Sequence, residues 1–215
     1  MDSTATQIAQ QTGISRQTIN KILSEIRSAI VKFNSQTGAF SGEIEVDESY
    51  FGPRRVRGKR GRGAGKKLIV FGLLKRIEKG EAKVYAQIIA NASRPILKQI
   101  ISERISENSV VYSDGWRSYD GLVDWGYKRH YRVNHSQNEF VNDANPRNHI
   151  NGIENFWGVA KVRLAKLRGI RKDKFNLHLQ ECVFRYNCRH MDIYKTLLDI
   201  LRKEERAKQI RVKLS

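Results

Sequence analysis

Three acids in this chain occupy positions from which carboxylates can share a task. Asp47 lies inside an alternating apolar and polar run, Asp114 follows a short apolar run, and Glu154 opens a stretch with helical periodicity. Brought together, they would make a hard-oxygen site for divalent cations. Two ions such as Mg²⁺ or Mn²⁺, held about 3.5–4 Å apart, can activate an attacking hydroxyl and stabilise the leaving oxygen of a phosphodiester. Each acid also has a plainer role. Glu48, next to Asp47, is an alternative ligand, although alternation places it with Ile44 and Val46, so Asp47 is preferred. Asp114 before Gly115 forms a common turn pair. Glu154 suits the first turn of any helix, where the dipole favours an acid.

The elements that must carry these acids follow from period and punctuation. In 43–50, Ile44 and Val46 share one face while Glu43, Glu45 and Asp47 share the other, which predicts a strand with one wetter face. Further strands are expected over 68–74 and 83–89, joined by a hairpin at Glu78-Lys79-Gly80. A helix is expected over 94–105, a strand over 109–112, a short helix over 118–124 and a strand over 127–133. After a polar loop over 134–148, helices are expected over 151–168 and 174–189, with an amphipathic basic helix from Tyr194 onward. A strand meander followed by helix, strand, helix, strand and closing helices is the order of an RNase H-like α/β fold. In such a sheet the first and fourth strands are neighbours, which would bring Asp47 to Asp114. On a helical wheel Ile150, Ile153, Trp157, Ala160, Leu164 and Leu167 form an apolar stripe. Glu154 falls on its flank with Asn151, Gly158 and Lys161, able to leave the core and stay beside the sheet.

The chain has 215 residues, with 40 Lys and Arg against 22 Asp and Glu, a formal charge of +18. Its 40% hydrophobic content supports a packed core and excludes disorder as the whole answer. An excess of positive charge this large points to a polyanionic partner, and nucleic acid is the usual one; ribosomal proteins and binders of anionic membranes share the property. The longest apolar run, 68–74, is far short of the roughly 20 residues of a membrane span, and no signal-peptide pattern opens the chain. A soluble, cytoplasmic protein is expected. Cys182 and Cys188 have neither zinc-site spacing nor partners for a disulfide framework.

Residues 4–33 read as helix, tight turn, helix. Gly13 supplies the turn, Ser15 caps a second helix over 16–30, Ala9 allows close crossing, and Ile14, Ile19 and Ile22 are expected to pack the helices together. The plain reading is an ordinary helical hairpin; as a DNA-binding helix-turn-helix, the reading preferred here, it would present Arg16, Gln17, Thr18, Asn20 and Lys21 to phosphates and base edges. The Gly-rich segment 52–63 carries Arg54, Arg55, Arg57, Lys59, Arg60 and Arg62 without an acid, the composition of a disordered solvated loop or, as preferred here, of one that follows a nucleic-acid backbone and orders on contact. Lys161 and Arg163 extend the basic surface along the helix of Glu154.

Four segments together resemble a known family: Val46-Asp47-Glu48-Ser49-Tyr50-Phe51-Gly52, the Arg/Gly loop running into Val70-Phe71-Gly72, Tyr112-Ser113-Asp114-Gly115-Trp116-Arg117-Ser118-Tyr119, and His149-Ile150-Asn151-Gly152-Ile153-Glu154-Asn155-Phe156-Trp157. They resemble the DDE-type transposases of small bacterial insertion sequences, in the ISXO-two-like group, over about residues 40–190. The resemblance implies an RNase H-like (retroviral integrase-like) core and two Mg²⁺ or Mn²⁺ ions. It implies strand cleavage and transfer on double-stranded DNA, at element ends and target, by a homodimer or higher assembly. By position, Asp47 and Asp114 become the two aspartates and Glu154 the third acid, with Asn151 and His149 orienting substrate or ligand. The implied organisation is a helix-turn-helix over 1–34, a linker over 35–42, a catalytic domain over 43–190 and a basic C-terminal helix over 191–215. A structure-specific nuclease of the same fold would use the same acids without joining strands. A non-catalytic DNA-binding regulator descended from a transposase would keep only the helix-turn-helix.

Overall fold

The computed structural model describes residues 3–52, 67–114, 127, 129–133, 149–167 and 169–214. Alternation at the first acid produces β1 (Glu43–Phe51), followed by β2 (Leu68–Arg76), β3 (Ala82–Ile89), β4 (Val110–Asp114) and β5 (Arg129–Val133). These form one sheet in the order β3-β2-β1-β4-β5. β1, β2 and β3 pair antiparallel, as a meander does, while β4 pairs parallel to β1 and β5 parallel to β4. A parallel neighbour needs a crossover, and α3 (Arg94–Arg104) lies in the chain between β3 and β4. This is the mixed α/β, RNase H-like sheet that the order of elements predicts.

Each face of the sheet has its own cover. Ile44, Val46, Phe71, Leu73 and Val111 pack with Leu97, Ile100 and Ile101 of α3 in one buried cluster. Burying each such side chain contributes about 1.5–3 kcal/mol. The opposite face carries Glu43, Glu45, Asp47, Ser49 and Phe51, and it receives α4 (Asn151–Ala165). The predicted apolar stripe of that helix is buried at Ile150, Ile153, Trp157, Ala160 and Leu164. The face expected to be wetter is therefore largely covered: Glu45 is 1% exposed and Ser49 3%. Strand alternation marks two faces but does not say which one a later helix will occupy.

The chain divides into two compact units, Gly38–Val162, which holds the sheet, and Met1–Thr37 with Arg163–Ser215. The latter contains α1 (Ala5–Thr12), α2 (Arg16–Ser35), α5 (Lys172–Asn187) and α6 (Ile193–Leu214). α1 starts with a capping box between Thr4 and Gln7 and ends at Gly13, whose φ of 71° is in the left-handed region that glycine adopts at least cost. Ser15 caps α2 by accepting from the Thr18 N–H. Of the three isoleucines expected between these helices, Ile19 is 5% exposed, whereas Ile14 and Ile22 are each 42% exposed. With eight residues and none buried, α1 is too short to cover all three. α2 continues past its expected end to Ser35. Ala29 and Ile30 pack there with Phe184, Cys188 and Ile200, and the Asn34 side-chain amide donates to the Gln180 carbonyl at 2.9 Å. Both cysteines are buried and neither is in a disulfide.

Candidate active site

The sheet register brings the first two acids together. β1 and β4 pair through Val46 and Ser113, so the next step along the two parallel strands sets Asp47 beside Asp114. Period-two alternation then turns both toward the face covered by α4. β4 runs through Asp114, so this acid is the last residue of a strand. Glu154 stands in the first turn of α4 and is exposed, as its place on the flank of the stripe requires.

Electrostatics ties the three acids into one neighbourhood. The Asp47 carboxyl is pushed up to about 7, first by burial, then by the negative charge of Asp114, with Glu154 adding to it. Hydrogen bonds from the Glu48 backbone and the Trp157 indole pull the other way. Trp157 Nε1–H donates to Asp47 Oδ2 at 3.0 Å. Gly72, paired with Asp47 across β1 and β2, makes room for that indole: a Cβ on Gly72 would lie 2.4 Å from Trp157 Cζ2. Phe51 meets the same indole edge to face at 5.9 Å. Among the described residues no three His, Cys, Asp or Glu side chains close into a metal-ligating group. The acids are electrostatic neighbours rather than a finished cage. The donor chemistry nevertheless fits a hard divalent cation, because carboxylates that repel one another in a partly buried place are relieved by positive charge.

A second acid on the same face plays a different part, which sequence reading overlooked. Glu45 accepts from the Ile153 N–H at 2.8 Å and from Arg76 Nε at 2.7 Å. Arg76 also reaches Glu43 at 3.3 Å, donates to the His149 carbonyl, and stacks over the Tyr112 ring at 4.0 Å. Gly152 permits the approach, since a Cβ there would lie 2.9 Å from Glu45 Oε2. His149 sits at this junction, with Nδ1 3.3 Å from Arg76 Nη2; burial and then the Arg76 charge lower its pKa, against the pull of Glu45 and Glu43. The spacing from Glu45 to Asp47 places both on one strand face and was a usable signal. Nothing local marks Arg76 as the partner. Asn151 is exposed at the start of α4.

The expected DNA-contacting residues fall into three groups. Arg16, Gln17, Thr18, Asn20 and Lys21 are all exposed in the first turns of α2. Lys161 is exposed on α4, with Nζ 5.9 Å from the Phe51 ring centroid. Arg163 donates to Glu181 at 2.7 Å, an ion pair inside its own unit. Arg54, Arg55, Arg57, Lys59, Arg60 and Arg62 lie outside the described residues, as do the helix expected over 118–124 and the loop over 134–148.

Residues 39–187 match the family described as the ISXO2-like transposase domain. An uncharacterized transposase-like protein of Haemophilus influenzae is 42% identical over 107 residues, covering 50% of this chain and 83% of that protein. An uncharacterized protein in transposable element ISH50 of Halobacterium salinarum is 35% identical over 154 residues, covering 65% of this chain and 50% of its own length. Among solved structures, the crystal structure of the Mos1 Strand Transfer Complex aligns with 92% of this chain and 73% of its own, at 12% identity and a TM-score of 0.35. With the family match spanning the whole sheet and all three acids, the chain belongs to the ISXO2-like transposase family.

Proposed function

We propose that this chain is the DNA transposase of a small bacterial insertion sequence, binding element ends and carrying out metal-dependent strand cleavage followed by strand transfer. The observation that carries this reading is the Asp47 carboxyl, raised to about 7 by burial, by Asp114 on the same sheet face and by Glu154 on α4, within a transposase family domain. Asp47, Asp114 and Glu154 would hold Mg²⁺ or Mn²⁺, which when bound activates the attacking hydroxyl and stabilises the leaving oxygen. The Trp157 indole holds the Asp47 carboxylate in one orientation.

Substrate binding is assigned to charge. Arg16, Gln17, Thr18, Asn20 and Lys21 on α2 would meet phosphates and base edges of a duplex, with Lys161 and the Arg/Lys loop from Arg54 to Arg62 following the backbone. Asn151 and His149 precede Glu154 in the same motif and orient substrate or ligand. Joining two element ends calls for a homodimer or larger assembly on DNA.

The test is incubation of the purified chain with Mg²⁺ or Mn²⁺ and labelled DNA carrying the flanks of its own gene, beside an Asp114→Asn variant. Nicks at the element ends and joined products, both absent with the variant, are expected. Cleavage of branched DNA without joining would identify a nuclease instead. DNA binding without scission under either metal would identify a regulator.

A further inference from the structure

We propose that Glu45 and Arg76 are positioning residues for the acidic site: they lock the start of α4 to the sheet and so set where Glu154 stands relative to Asp47 and Asp114. This rests on the metal-dependent reading of the acids. The first N–H groups of a helix have no partner within it and favour negative charge. Here the negative group is supplied from another element, since the 1% exposed carboxylate of Glu45 on β1 accepts from the N–H of Ile153, the residue directly before Glu154. Glu45 is also two residues from Asp47 on the same strand face. One side chain therefore fixes the strand that carries the first acid against the helix turn that carries the third.

Arg76 makes the lock rigid. Its planar guanidinium engages Glu45, Glu43 and the His149 carbonyl at once while lying on the Tyr112 ring, two residues before Asp114. The same cation is thus held against the strands of Asp47 and Asp114 and the residue leading into α4. A Lys cannot reproduce that fork. A buried ion pair is a poor source of stability compared with apolar packing of the same volume, because two charges must be desolvated. Its position beside the three acids is better explained by placement than by stability.

The experiment is titration of the full chain with Mn²⁺, followed by the electron paramagnetic resonance signal of the free ion, with a thermal melt for each variant. Glu45→Gln and Arg76→Lys are expected to weaken Mn²⁺ binding by about 10–100-fold, the range for partners that orient metal ligands. Leu97→Ala and Ile101→Val, in the apolar core on the other face, provide controls spanning the same loss of melting temperature and are expected to keep wild-type affinity. Unchanged affinity in Glu45→Gln and Arg76→Lys, or an equal loss in the core controls, would overturn the positioning role while leaving the metal reading intact. Absence of Mn²⁺ binding by the wild type, or full binding by Asp114→Asn, would overturn the metal reading and this inference together. Should Glu45→Gln not fold, Arg76→Lys carries the comparison alone.

Discussion

Asp47 and Glu181 are both carboxylates withdrawn from water, one on the sheet and the other on α5, and their neighbours carry opposite charge. Burial would raise the pKa of each. At Asp47 the nearby charges are Asp114 and Glu154, so the rise is reinforced. At Glu181 burial is overridden by a hydrogen bond from Arg27 and by the charges of Arg27, Arg163 and Arg185, and the carboxyl is held below its usual range. The three guanidinium contacts measure 2.9, 2.7 and 3.0 Å. Glu181 is neutralised by the chain's own cations and has no need of an external partner. Among the described residues no cation is set against Asp47 in that way, and a cation from solution would supply the compensation. Two carboxylates with similar burial thus divide into a structural tie and a candidate reaction centre according to the sign of the surrounding charge.

The comparison can be broken most severely at Glu181. Glu181→Ala leaves three arginines facing one another around an empty place and should cost about 3–5 kcal/mol, as loss of one partner from a buried ionic group does. Chemical denaturation measures it, and a loss near zero would show that the arginines are satisfied without the acid. A lesser effect is expected on the sheet. Gly72→Val drives a side chain into the Trp157 indole and should cost about 1–3 kcal/mol as overpacking. The accompanying readout is Trp fluorescence, which should shift as the indole leaves Asp47; an unshifted spectrum would mean that the indole is not seated on Gly72.

The smallest effect has the opposite sign and sharpens the contrast. The folded-state pKa of Asp47, about 7, lies above its ordinary value of 3.8, so the folded chain binds this proton more tightly than the unfolded one. Stability from that proton is complete below about 3.8 and is lost as pH rises toward 7. Asp47→Asn should therefore raise the melting temperature by a few degrees at pH 8 and leave it nearly unchanged at pH 4. Glu181 runs the other way: its pKa is lowered, so its contribution is present above the ordinary Glu range and disappears as acid protonates it. A parallel pH dependence of Asp47→Asn and Glu181→Gln would remove the distinction between the two sites.

Much of this was written locally. Alternation placed Glu45 and Asp47 on one side of β1, the wheel of α4 separated Trp157 from Glu154, and Gly13 and Ser15 marked the end of one helix and the start of the next. Those features depend on residues a few positions apart, where backbone geometry alone sets direction. The face that α4 would cover was not legible, so Glu45 read as a solvated strand acid and Trp157 as apolar packing only. Ile14 and Ile22 were overestimated as packing residues because an apolar residue at helical spacing needs a partner long enough to cover it.

Sequence by itself determined the family, the strand that carries the first acid and the helix that carries the third. The order of elements also predicted that Asp47 would lie beside Asp114, and the parallel pairing of β1 with β4 supplies the register; tertiary structure alone decided that α4 covers the face of these acids. It also decided that Gly72 is a seat for an indole, that Arg76 binds the start of α4 to β1, and that Arg27 reaches Glu181 from 154 positions away. The physical reason is that periodicity and capping are near-neighbour effects, whereas the charge a buried carboxylate meets depends on which distant segments packing brings against it.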